Sequence, residues 1–87
     1  MMEIRYGKNL LKSAKALPTR TQKKLASLIP LLEHNPFHLH LHAKQLSGKL
    51  TGLISFRITR DWRVIFQFLD PRTIQLLRVA HRKDIYR

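Results

Sequence analysis

Apolar positions fall into two regimes along the chain. Up to about residue 34 they recur at helical spacing, and from residue 50 onward they alternate with polar ones. Lys8 to Leu17 reads as a short helix, with Leu10, Leu11, Ala14 and Leu17 near one face. Pro18-Thr19 ends it, and Thr19 is the expected N-cap of a second helix. That helix carries Leu25, Leu28, Ile29 and Leu32 at the i, i+3, i+4, i+7 spacing of a buried stripe. Arg20, Lys23, Lys24 and Ser27 lie on its other side. Pro30 falls inside and is expected to kink or shorten it, and Asn35-Pro36 stops it. Before this helical hairpin, Glu3 to Tyr6 has the length of a short first strand.

Leu53 to Thr59, Trp62 to Phe68 and Ile74 to Ala80 read as three strands, rich in β-branched and aromatic residues. Turns at Arg60-Asp61 and Asp70 to Thr73 are too short for anything but antiparallel pairing. Pairing Ile58 with Arg63 would mix apolar and charged side chains on one face. Pairing Ile58 with Val64, Phe56 with Phe66 and Ile54 with Phe68 separates them, which predicts an odd-length loop or a bulge at Arg60 to Trp62. The core face is then Ile54, Phe56, Ile58, Val64, Phe66 and Phe68, joined by Leu77 and Val79. The opposite face carries Ser55, Arg57, Thr59, Arg63, Ile65 and Gln67, with Leu76, Arg78 and Ala80. Helices first and a meander after them make an α+β fold, a helical hairpin packed on an antiparallel sheet. The 87 residues are expected to form a single domain, 1–87.

Charge changes this picture most. Seventeen Lys and Arg stand against five acids, a net +12, which predicts a polyanionic partner. Arg57, Arg63 and Arg78 gather on one sheet face. Like charges so placed repel, so the face is read as a seat for an anion, with a plain solvated surface as the alternative. No apolar run approaches the roughly 18–20 residues of a membrane span, and the N-terminus lacks a signal core. The absence of cysteine fits a cytoplasmic location and leaves no disulfide, thiolate metal site or cysteine nucleophile.

Several chemistries drop out. Glu3, Glu33, Asp61, Asp70 and Asp84 are too scattered for a carboxylate dyad or a two-metal site. Gly7, Gly48 and Gly52 make no phosphate-binding loop, and no cofactor is expected. His38, His40 and His42 would share a face if extended, but no acidic or cysteine partner lies nearby, so a polar connection is preferred to a metal site. Metal-free RNA cleavage remains, because RNA carries its own nucleophile in the 2′-hydroxyl. Arginines suit stabilisation of the dianionic phosphorane but not proton transfer. Proton work falls to a His or to a Tyr with a depressed pKa, and His81-Arg82-Lys83-Asp84-Ile85-Tyr86-Arg87 offers both after the last strand.

Leu46-Ser47-Gly48-Lys49-Leu50, Ser55-Phe56-Arg57-Ile58, Trp62-Arg63-Val64-Ile65-Phe66 and the run Val79 to Arg87 together closely resemble the RelE-like toxins of the RelE/ParE superfamily, from toxin–antitoxin modules. The resemblance covers nearly the whole chain. It implies a ribosome-dependent endoribonuclease, an mRNA interferase that needs no metal, inhibits translation and leaves a 2′,3′-cyclic phosphate. It also implies a cognate antitoxin that blocks the active surface. Position by position, Arg63 and Arg82 match the arginines that hold the scissile phosphate. Tyr86 matches the tyrosine that contacts the base or moves a proton. Arg57 matches a basic residue, whereas Thr59 stands where the founding toxins carry a second one, and His81 could compensate. Lys49, Arg78 and Lys83 join Arg57 as expected RNA contacts. Two alternatives stay open: a ParE-like toxin that inhibits DNA gyrase and cuts no RNA, and a basic RNA- or ribosome-binding domain whose catalysis has lapsed.

Overall fold

The computed structural model describes residues 1–86, and Arg87 of the terminal motif lies outside the described residues. Strand β1 (Glu3–Tyr6) leads into helices α1 (Lys8–Lys15) and α2 (Thr19–His34). Four strands follow: β2 (Lys44–Gln45), β3 (Ile54–Arg57), β4 (Trp62–Asp70) and β5 (Thr73–His81). The sheet order is β1-β5-β4-β3-β2. The helical hairpin on a sheet and the meander stand as expected, and β2 is an addition. One pair departs from the antiparallel rule: β1 runs parallel to β5, Glu3 beside Thr73 and Tyr6 beside Leu76.

The turn from β1 into α1 needs a glycine. Gly7 N–H donates to the Leu76 carbonyl at 3.0 Å, and a Cβ there would sit 3.0 Å from that same oxygen. Further along α1 the Ser13 hydroxyl accepts from Val79 N–H at 2.9 Å and donates to Asn9 O, locking α1 over β5. Helix α2 begins at Thr19, the residue expected to cap it. Pro18 occupies the cap position, Thr19 is already helical, and no side chain caps the end. Pro30 neither ends nor shortens the helix, which runs on to His34 with the proline on its exposed side. Leu25, Leu28 and Leu32 are buried and Ile29 half-buried, as the stripe requires.

These leucines pack on Ile54, Phe56, Ile58, Val64, Phe66, Ile74, Leu76 and Val79 of the sheet. The face assignment holds but the register is off by two: Ile54 faces Phe66, Phe56 faces Val64 and Arg57 faces Arg63. Because a shift of two preserves the pleat, every side chain keeps its side. The loop is odd-length as expected, closed by bonds from Ile58 N–H and Thr59 N–H to the Trp62 carbonyl, at 2.9 and 3.3 Å. Two core assignments need correction. Phe68 is 37% exposed, because β3 stops opposite Phe66 and leaves it beyond the covered region. Leu76, not Leu77, enters the main core. Ile65 pairs with Arg78 but Phe66 with Leu76, so Leu77 is the extra residue of a bulge, and the bulge turns both Leu76 and Val79 toward the helices.

The other sheet face is not simply wet. Leu46, Ile65, Ala80 and Ile85 form a second buried cluster there, with Leu50, Leu53 and Leu77 packed against it. Among the described residues no helix is long and apolar enough to cross a membrane.

Candidate functional site

Alternation along β3 and β4 sends Arg57 and Arg63 to the face away from the helices, directly opposite each other. Ala80 of β5 continues the row beyond Arg63 and adds only a methyl group to it. Arg82 enters from just past β5: its N–H donates to the Asp61 carbonyl at 2.8 Å, and its Nε lies 3.5 Å from the Asp61 carboxylate. Burial, then the charges of Arg57 and Arg82, lower the Arg63 pKa from its ordinary value, with Asp61 opposing. The three guanidiniums therefore act on one another. Arg57 Nε is buried without a hydrogen-bond partner among the described residues.

After His81 the chain makes a 3₁₀ turn, Arg82–Asp84, and doubles back. Ile85 drives this return by inserting between Leu46, Ile65 and Ala80. Arg78 Nη2 donates to the Ile85 carbonyl at 3.3 Å and braces it. The return carries Tyr86 across to residue 47, where its hydroxyl accepts a bond from Ser47 N–H at 3.3 Å. Hydrogen bonding from the Ser47 side chain and backbone, with the Lys44 charge in support, lowers the Tyr86 pKa from the ordinary tyrosine value. The result is a pocket of about 290 Å³ lined by His42, Lys44, Leu46, Ser55, Arg57, Arg63, Arg82, Ile85 and Tyr86.

Of the residues singled out from sequence, Arg57, Arg63, Arg82 and Tyr86 meet in this pocket. His81 does not. It pairs with Trp62 on the helix side of the sheet, the rings 5.2 Å apart edge to face, and its Nδ1 accepts from Lys83 N–H. Arg78 shares the correct face but braces the tail, and Lys49 and Lys83 are exposed outside the pocket lining. The site also takes in His42, Lys44 and Ser47, none of them expected there. The segment holding His38, His40 and His42 is not extended: Leu39–Leu41 is a 3₁₀ turn, which breaks the shared face. Among the described residues no three metal-ligating side chains are grouped.

Three guanidiniums around one cavity suit a phosphate that gains charge as it reacts. A tyrosine held as an acceptor at the rim can take a proton. A second cavity of about 330 Å³, between the helices and β1, is lined by Tyr6, Leu10, Leu11, Ala14, Leu25 and Ile29 among others. Burial, then Glu33, raise the Tyr6 pKa, so this apolar groove offers no comparable acceptor.

A family model described as the ParE toxin of the type II toxin–antitoxin system parDE matches residues 4–86. No curated protein sequence matches significantly. Among solved structures the chain is similar to YafQ from E. coli, at 21% identity over 100% of both chains with a TM-score of 0.79. It is also similar to the RelB–RelE antitoxin–toxin complex from Methanococcus jannaschii, at 24% identity over 94% of each chain with a TM-score of 0.75. The YoeB/ParE toxin from Agrobacterium tumefaciens matches at 18% identity over 93% of this chain and 99% of that one, TM-score 0.75. At these identities the structures show a shared fold.

Proposed function

This chain belongs to the ParE toxin family of type II toxin–antitoxin systems, and we propose that it acts there as a ribosome-dependent endoribonuclease that cleaves messenger RNA and inhibits translation. The observation that carries the reading is the meeting of Arg57, Arg63 and Arg82 with an acceptor tyrosine in one pocket. Binding alone would not need Tyr86 held by Ser47 with its pKa pulled down.

In the proposed reaction Tyr86, as phenolate, takes the proton of the 2′-hydroxyl. The 2′-oxygen attacks phosphorus, the bond to the 5′-oxygen breaks, and a 2′,3′-cyclic phosphate and a 5′-hydroxyl result. Arg63 and Arg82 neutralise the phosphorane, and Arg57, which lines the same pocket, adds its charge. The guanidiniums supply the charge that a metal ion would otherwise bring. The exposed Lys49 and Lys83 contact flanking RNA, and Arg78 serves them by holding the tail. We place this activity in a single cytoplasmic domain, 1–87, neutralised by a cognate antitoxin. Complexes of RelB with RelE and of DinJ with YafQ support that partner.

The test is a cell-free translation reaction with message ends mapped by primer extension. Codon-phased cuts that require ribosomes are expected. The parDE description of the family model favours a second reading, a toxin aimed at DNA gyrase. Intact message together with inhibited gyrase would replace the first reading with that one.

Tyr86→Phe keeps the ring and loses the acceptor. It should slow single-turnover cleavage by roughly 10²-fold or more while ribosome association persists. The wild-type rate should rise with pH as the phenolate fraction grows, until the group that protonates the leaving oxygen begins to lose its own proton. That limb should vanish in the variant, and a slope unchanged by Tyr86→Phe would assign the base elsewhere.

A further inference from the structure

We propose that His42 is the general acid of this site, protonating the 5′-oxygen as it leaves; the assignment rests on the ribonuclease reading above. His42 lies two residues before Lys44 of β2, which faces Ser55 beside Arg57 on β3. Its side chain lines the pocket with Lys44, Arg57, Arg63, Arg82 and Tyr86. No other imidazole lines it. His81 is on the far side of the sheet against Trp62, and His38 and His40 lie edge to face with each other, their rings 5.0 Å apart.

The backbone at His42 is unusual. With φ 49° and ψ 47°, it is the one non-glycine residue with positive φ among the described residues. A glycine would adopt this conformation without strain, and its cost to other residues is of order 1 kcal/mol. Burial does not explain the histidine, because it is exposed. Strained backbone of this kind recurs at functional sites, and here it sits at the edge of the arginine pocket.

The chemistry supplies the role. Arginines hold their protons too tightly to pass them on. Tyr86 is arranged to accept, since Ser47 N–H donates to its hydroxyl. The pocket then needs a donor for the leaving oxygen, and imidazole is the side chain suited to release a proton near neutral pH. As the bond from phosphorus to the 5′-oxygen breaks, the imidazolium proton of His42 passes to that oxygen and a neutral imidazole remains. The proton taken from the 2′-hydroxyl by Tyr86 balances it, and exchange with solvent restores both groups.

The test pairs His42→Asn with a changed leaving group. Asparagine tolerates the left-handed conformation and cannot act as the acid. Ribosomes are programmed with an ordinary message or with one carrying a 5′-bridging phosphorothiolate at the scissile linkage, whose thiolate leaves without a proton. On the ordinary message His42→Asn should cut roughly 10²–10³-fold more slowly than wild type. On the phosphorothiolate it should return to near the wild-type rate, while Tyr86→Phe stays slow on both. A variant as fast as wild type on the ordinary message, or equally slow on both, would overturn the assignment. Wild-type protein that cuts neither message would overturn the ribonuclease reading, and this assignment with it.

Discussion

Substituting Arg63 by alanine is expected to lower single-turnover cleavage on programmed ribosomes by roughly 10²–10³-fold, the cost of removing one preorganised donor to a developing oxyanion. The stability of the protein should move the other way or not at all. Arg63 stands directly across from Arg57, and its pKa is lowered by burial and by the charges of Arg57 and Arg82. It donates to the Arg60 carbonyl at 3.4 Å, an exposed bond, and Asp61 offsets part of the repulsion. Removing Arg63 relieves repulsion and strands no buried partner, so the thermal midpoint should hold or rise. Arg63→Lys should recover only part of the rate, because an ammonium lacks the planar fork that grips two phosphate oxygens. Rate measurements and thermal unfolding on the same preparations check both halves. An Arg63→Ala protein that cuts nearly as fast as wild type, or loses rate only because it unfolds, would remove Arg63 from the chemistry.

Much of this site is readable in the chain because strand alternation is strict. Once Phe56 and Val64 are assigned to the core, Arg57 and Arg63 must share the other face, and the two-residue register error does not disturb that. Alternation along β5 decides the side of His81 as well. With Ala80 on the arginine face, His81 must point the other way, although its neighbour Arg82 reaches the pocket. Adjacency in sequence suggested otherwise. Leu76 and Leu77 were not separable, since two adjacent leucines present the same pattern and only the bulge decides which is buried. The parallel partner of β1 leaves no local turn signal. His42, Lys44 and Ser47 come from a stretch without periodicity, and only long-range closure, by β2 on β3 and by Tyr86 on Ser47, brings them to the arginines.

The largest stability effect is expected from Phe66→Ala. Phe66 is fully buried, with ring centroids 6.0 Å from Phe56 and 6.1 Å from Phe68. Truncating a core phenylalanine costs about 3–5 kcal/mol. A domain of this length is stable by only about 4–13 kcal/mol, at roughly 0.05–0.15 kcal/mol per residue. The loss therefore takes a large share of the total. With an m-value of about 1–1.5 kcal/mol/M, the urea midpoint should fall by roughly 2–5 M. Phe68→Ala, at a position 37% exposed, should shift it far less. Function should fall with Phe66→Ala as well, because β4 has two faces. Val64 and Phe66 hold the helices, while Arg63 and Ile65 carry the arginine pocket and the seat of Ile85. Loss of toxicity alone thus cannot identify a catalytic residue in this fold. Arg63→Ala should lose cleavage with the midpoint kept, and Phe66→Ala should lose both together. A Phe66→Ala protein that unfolds near the wild-type midpoint would show that the helices and the sheet are held together elsewhere.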